Sequence, residues 1–215
     1  MKNHNLYLSA LVTLLFLSVS CGTSGSYDEQ ADNKSTEQVT AVVDSLMSLE
    51  PELALSSLSV VKAQMPSLIS DEVKPAIEKT SENVVAYLFS QALSGKSSFD
   101  ENDIMEDFVK IGEPLRESMR KYEEEKHPEL IFGLASLTNV NDSTKTEKRV
   151  YIFDENDLSS VKRMEKFPSK SSKDILMLFA LAYGDKIDYN NKDFKPEDIK
   201  DINENPILKF IITDY

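Results

Sequence analysis

An α+β fold, a helical first half followed by a mixed half with a small antiparallel sheet, is what this sequence predicts from three observations. The strongest is the recurrence of Ile104, Phe108, Ile111, Leu115, Met119 and Tyr122 at steps of 4, 3, 4, 4 and 3 residues, which keeps all six on one side of a helix. The second is a pair of β-prone runs, 130–140 and 149–153, flanking Asn141-Asp142, the pattern of an antiparallel hairpin. The third is charge: 22 acidic against 10 basic residues in 21–129, but 15 against 13 in 130–215. The change of pattern at 127–130 divides an acidic helical subdomain, 35–128, from a mixed one, 129–215, expected to pack together as one unit. A chain of 215 residues, 40% apolar and 28% charged, is long enough for a core of ordinary size.

The elements follow in order. Ser35 or Thr36 is placed to cap a helix whose stripe is Val39, Val42, Val43, Leu46 and Leu49, ended by Pro51, because proline disfavours helix in the residue before it. A second helix is expected over 52–65, with Leu55, Leu58, Val60 and Val61 on overlapping faces and Pro66 as its stop. A third starts near Pro75, a good first-turn residue, carries Ile77, Val84, Val85, Leu88, Phe89 and Ala92, and meets Gly95 as a C-terminal cap. Asp100 is placed to cap the long fourth helix, and Gly112 and Pro114 in its middle predict a kink or break. After the hairpin, 158–167 and 175–183 read as helices, Gly184 as a stop, 195–202 as a short helix with Pro196 in its first turn, and 207–213 as a closing strand.

The first twenty residues are a targeting signal. Lys2 precedes an apolar run, 6–17, interrupted only by Ser9 and Thr13, and small residues follow, the build of a secretory signal peptide over 1–20. Twelve helical residues reach about 18 Å, short of the roughly 30 Å hydrocarbon core. Leu17-Ser18-Val19-Ser20-Cys21 resembles the lipobox of bacterial lipoproteins. Ser20 and Gly22 fit that family's pattern; Leu17 stands one place farther from the cysteine than the family prefers. The resemblance implies cleavage before Cys21, a diacylglycerol thioether on its sulfur and an acylated amine. Residues 21–34 form a small, polar tether. Gly22, where an aspartate would retain a lipoprotein in the inner membrane, implies an outer-membrane address, facing periplasm or surface. Ordinary cleavage after Ser20 is the alternative, since Ser18 and Ser20 also satisfy a small-x-small rule; it leaves Cys21 a free thiol in a secreted soluble protein.

No strong catalytic, metal or cofactor motif stands out. The net charge of −13 disfavours nucleic acid, whose phosphates require Lys and Arg. The stretch around Gly184-Asp185 and the cluster Asp154-Glu155-Asn156-Asp157 both fail calcium-loop spacing; they read as polar loops, with Asp157 a helix cap. Glu123-Glu124-Glu125 beside His127 point in different directions on a helix, which makes His127 an exposed helix-end residue. Gly95-Lys96-Ser97 lacks the upstream glycine of a phosphate loop. Lys162, Arg163, Lys166, Lys170 and Lys173 form a basic cluster, read as a solvated face. Tyr183, Tyr189, Phe194 and Tyr215 read as core residues. The expectation is a lipid-anchored envelope protein, attached to the membrane through Cys21, that binds or scaffolds without catalysis. The competing expectation is a carboxylate-dependent envelope hydrolase, since paired acids can act without histidine.

Overall fold

Helices and one antiparallel sheet share the chain, as an α+β protein requires, in the computed structural model, which describes residues 31–93, 101–168, 173–187 and 198–213. The signal segment, Cys21 and the tether through residue 30 lie outside the described residues. The order is α1 (Asn33–Met47), β1 (Leu53–Gln64), a 3₁₀ turn (Ser67–Ile69), α2 (Lys74–Leu93), α3 (Glu101–Glu124), β2 (Glu129–Asn139), β3 (Asp142–Phe153), β4 (Arg163–Pro168), α4 (Lys173–Tyr183), a second 3₁₀ turn (Gly184–Lys186), α5 (Lys200–Glu204) and α6 (Pro206–Ile212). The four strands form an antiparallel meander, β1-β2-β3-β4.

Strand side chains alternate between two cores. On one face Ile131, Ala135 and Leu137 of β2 and Tyr151 and Phe153 of β3 pack under Val39, Val43 and Met47 of α1. On the other face Phe132, Leu134, Val150 and Ile152 meet Val84, Leu115, Phe179, Ile202 and Ile207, one from each remaining helix. The hairpin is present, closed by Asn139, whose Oδ1 accepts from the amides of Asn141 (2.9 Å) and Asp142 (3.1 Å). This is an Asx turn.

Three elements correct the sequence reading. Residues 53–64 are a strand, not a helix, and that strand pairs with β2 across the 127–130 division. A bulge between Leu55 and Ser57 inserts one residue. Leu55 and Leu58 therefore fall on the same face three apart, which imitates a helical step. Residues 158–167 are a turn and the edge strand β4 rather than a helix: Arg163, Glu165 and Phe167 face the large core side, and Met164 and Lys166 the opposite side. Charged residues and Pro168 suit an edge with one partner. Residues 207–213 hold helix α6, not a closing strand: Pro206 occupies its first turn and Asn205 Oδ1 accepts from the amides of Ile207 and Leu208, both at 3.0 Å. Five of its seven residues are buried and only Lys209 is exposed, so no clear amphipathic period marks it.

Smaller corrections concern helix ends. Asp32, not Ser35 or Thr36, caps α1, accepting from Ser35 N at 2.8 Å. Helix α3 runs from Glu101 to Glu124 without a break at Pro114. Gly112 allows a close contact: a Cβ there would stand 2.3 Å from the Leu181 carbonyl oxygen of α4. Arg116 Nη1 donates to that same oxygen at 2.9 Å. The caps expected at Gly95 and Asp100, and Pro196, lie outside the described residues. Helix α2 is buried at Val84, while Val85, Leu88, Phe89 and Leu93 of its second half are exposed.

Candidate functional site

The segment 63–74 leaves β1, passes Pro66 and the 3₁₀ turn, and bends into α2, walling three adjoining clefts on the way. The first, about 230 Å³, lies between α2, β4, α4 and α6 and is apolar, with Ile69, Ile77, Phe167, Leu178 and Ile211 in its lining. The second, about 300 Å³, shares Ser70 and Arg163 with the first and adds Asp71, Glu72, Tyr122 and His127. The third, about 380 Å³, shares Met65, Tyr122 and His127 with the second and ends among Glu123, Glu125, Asp201 and Glu204. They follow one another as one groove, apolar at one end and acidic at the other.

Side chains along the groove are held by local bonds. Arg163 is committed on all sides: Nη1 to Asp71 at 2.9 Å, Nε to Glu165 at 2.5 Å and Nη2 to the Ile69 carbonyl at 2.9 Å. Tyr122 and His127 stack with ring centroids 3.6 Å apart and planes 10° from parallel. His127 Nε2 donates to the Tyr122 carbonyl at 2.7 Å, so His127 is a half-buried part of the groove wall and not an exposed helix end. Ser67 Oγ donates to Glu123 Oε1 at 2.7 Å. Tyr183, at the back of the third cleft, is only 4% exposed. Burial pushes its phenol pKa up, and the negative charges of Glu123 and Asp201 push it further. Burial likewise raises Tyr122, with Glu72 adding to it.

The structure scatters most of the clusters visible in the sequence. Of the three consecutive glutamates, Glu123 and Glu125 line the groove and Glu124 does not. The basic cluster divides, since Arg163 and Lys166 lie on opposite faces of β4; Lys170 and the side chain of Lys173 lie outside the described residues. Asp157 caps no helix. It accepts from Ser159 N at 3.0 Å and Ser159 Oγ at 2.5 Å, bonds that hold its carboxyl below the ordinary range. Asp154 is occupied by Asn156 N at 2.9 Å. Among the described residues no three His, Cys, Asp or Glu side chains are grouped to hold a metal ion. Tyr183 is in the core as expected; Tyr189, Phe194, Tyr215 and the Gly95-Lys96-Ser97 stretch lie outside the described residues. Asp201 and Glu204 had no signal in the sequence, because only the tertiary fold brings α5 beside the end of α3.

Two adjacent residues of β3, Lys148 and Arg149, are 1% exposed, one on each side of the sheet. Arg149 makes a bidentate pair with Glu50, Nη1 to Oε1 at 2.6 Å and Nη2 to Oε2 at 2.7 Å, and Nε meets Glu147. This pins the chain after α1 onto the sheet. The pair holds the Glu50 carboxyl below its ordinary value of 4.5. A lowered folded-state pKa stabilises above the unfolded value and loses that contribution as pH falls through the folded one. Wild type is therefore expected to lose more stability than Glu50→Gln between pH 6 and pH 3, measured by urea titration at both. Equal losses would show that the pair does not survive in solution.

No helix among the described residues is long and apolar enough to cross a membrane. Neither a family model, nor a curated protein, nor a solved structure matches this chain.

Proposed function

We propose that the chain is a lipid-anchored protein of the bacterial cell envelope, a non-catalytic binding module tied through Cys21 and a short tether to the outer membrane, with the groove along 63–74 as its binding surface. The observation that carries the anchor is Leu17-Ser18-Val19-Ser20-Cys21 after a short apolar run, with the chain's one cysteine at the expected place. At about 0.8 kcal/mol per buried CH₂, several acyl chains on that residue hold a protein in a bilayer essentially permanently. Support for the tether comes from the small, polar composition of 21–34; a flexible chain of the ten residues between Cys21 and Asp32 would span roughly 17 Å r.m.s.. Support for binding rather than hydrolysis comes from the acids themselves. A general acid at neutral pH needs a carboxyl kept neutral by apolar surroundings, and Glu123, Glu125, Asp201 and Glu204 are all exposed to water.

Detergent phase partitioning tests the anchor. The wild-type protein is expected in the detergent phase and Cys21→Ser in the aqueous phase. The intact mass of the wild-type mature chain is expected to carry acyl groups on Cys21. A wild-type protein that stays aqueous, with the mass of a free thiol, overturns the anchor and leaves the secreted soluble form.

A further inference from the structure

The second half of α2, from Val84 to Leu93, is apolar on two sides. One side faces α3: Val84 is buried, and Tyr87 meets Phe108 edge to face with ring centroids 5.8 Å apart. On the other side Val85, Leu88, Phe89 and Leu93 are between 49% and 73% exposed. At about 100° per residue these four fall within one sector of about 140°, and Ala92 lies among them. Glu78 and Glu82 stand on the same side earlier in the helix, so the apolar stripe belongs to the second half alone. A helix apolar all round is ordinarily covered on every side, by protein or by lipid. Ten residues rise about 15 Å, half of the roughly 30 Å hydrocarbon core, a length that lies on a bilayer and does not cross it.

We propose that this face of α2 rests in the interfacial layer of the bilayer to which Cys21 ties the chain, so that the folded body is docked on the membrane. This docking rests on the anchor proposed above. Tether length supports it. The ten residues between Cys21 and Asp32 extend to at most about 36 Å. Helix α1, where the tether ends, covers one side of the sheet, and α2 lies on the other. With layers about 10 Å apart, α2 is within that reach. A body confined so near a surface meets it at high effective concentration, so a modest patch suffices. Area selects lipid over a second copy. The four exposed side chains present roughly 500 Å² together, at the upper end for a monomer but below the ~800 Å² that each partner of a standard interface buries. Charge selects the kind of lipid contact: the chain carries −13, and no lysine or arginine occurs in 80–93. The contact is therefore apolar and suits a zwitterionic surface.

The test uses the full lipidated chain on phosphatidylcholine vesicles. Lipid blocks Cys21, so Phe89→Cys and, separately, Leu49→Cys each offer one thiol for a fluorophore. Leu49, 76% exposed in the turn after α1, is the control. Quenching by a nitroxide-bearing lipid is expected at residue 89, at least about threefold stronger than at residue 49, since an interfacial helix sits about 5–10 Å into the headgroup and acyl boundary. Adding Val85→Glu and Leu93→Glu together is expected to bring quenching at residue 89 down to the level at residue 49. Both side chains are exposed, so thermal unfolding should be unchanged and would confirm an intact fold. High salt should leave the quenching at residue 89 as it was, and release by salt overturns the apolar contact. Equal quenching at the two positions, or none at either, overturns the docking. So does a dimer in non-ionic detergent that the two glutamates dissolve, which would make this face a contact between copies. Intact mass separates the two readings: a free thiol on Cys21 overturns the anchor and the docking with it, whereas a lipidated chain unquenched at residue 89 overturns only the docking.

Discussion

Leu115→Ala is expected to cost about 2–5 kcal/mol of folding stability, the usual range for a fully buried leucine. Leu115 is 0% exposed and belongs to the large core with Phe132 and Leu134 of the sheet and Phe179 and Leu181 of α4. Three elements meet there, and the helix is held by its neighbour at Gly112, where α3 and α4 come within a Cβ's radius. Rigid surroundings collapse poorly into a cavity, so the upper part of the range is the expectation. Such a loss is a large part of the 5–15 kcal/mol that holds a typical domain. Glu124→Ala, on the exposed end of the same helix, is expected to change stability by less than about 0.5 kcal/mol. Urea titration of both variants reads the difference. Equal effects would mean that the apolar face of α3 is open to solvent and serves a partner.

That face was legible because it obeys one rule from Phe108 to Tyr122. Phe108 and Ile111 are partly buried, and Leu115, Met119 and Tyr122 buried, as the 3.6-residue period requires. The side chain of Ile104 lies outside the described residues. The hairpin was legible for a similar local reason, an Asx turn between two β-prone runs. What misled was local too. The bulge beside Leu55 turns a strand's two-residue period into three. Helix α6 is apolar except at Lys209, and a short, mostly apolar run rich in isoleucine cannot be told from a strand by periodicity. The groove belongs to a different category. Segment 63–74, the end of α3 at Glu124 and the start of α5 at Lys200 are 50 and 76 residues apart in turn, and no motif of fixed spacing connects them. Its acidic end is a property of packing. Conversely, charges that are near in sequence, such as Arg163 and Lys166, are separated by the alternation of the strand on which they lie.

Lys148 shows most clearly how the fold uses a residue that composition assigns to the surface. Its side chain is 1% exposed on the helix-covered face of β3, where an unpaired ammonium would be strongly disfavoured. Its Nζ donates to the carbonyls of Phe210 at 2.7 Å, Ile211 at 3.4 Å and Thr213. These belong to the last turn of α6 and its cap, where carbonyls have no partner within the helix and the helix dipole favours a cation. A lysine reaching across from a central strand thus caps a short C-terminal helix that has no glycine to end it. Lys148→Met keeps most of the volume and removes the charge and these three bonds. The variant sheds the cost of burying an ammonium, but it leaves buried carbonyls unsatisfied, at about 1–3 kcal/mol each. A net loss of about 2–4 kcal/mol is expected. Lys145→Met, on an exposed lysine paired with Asp142 at the start of the same strand, is expected to change little. Hydrogen exchange reads the location: in Lys148→Met the amides of 206–212 should exchange faster than those of β2, because α6 loosens before the sheet does. If the urea midpoint is unchanged and α6 stays protected, the ammonium does not hold this helix, and apolar burial of Ile207, Leu208, Phe210 and Ile211 alone keeps it in place.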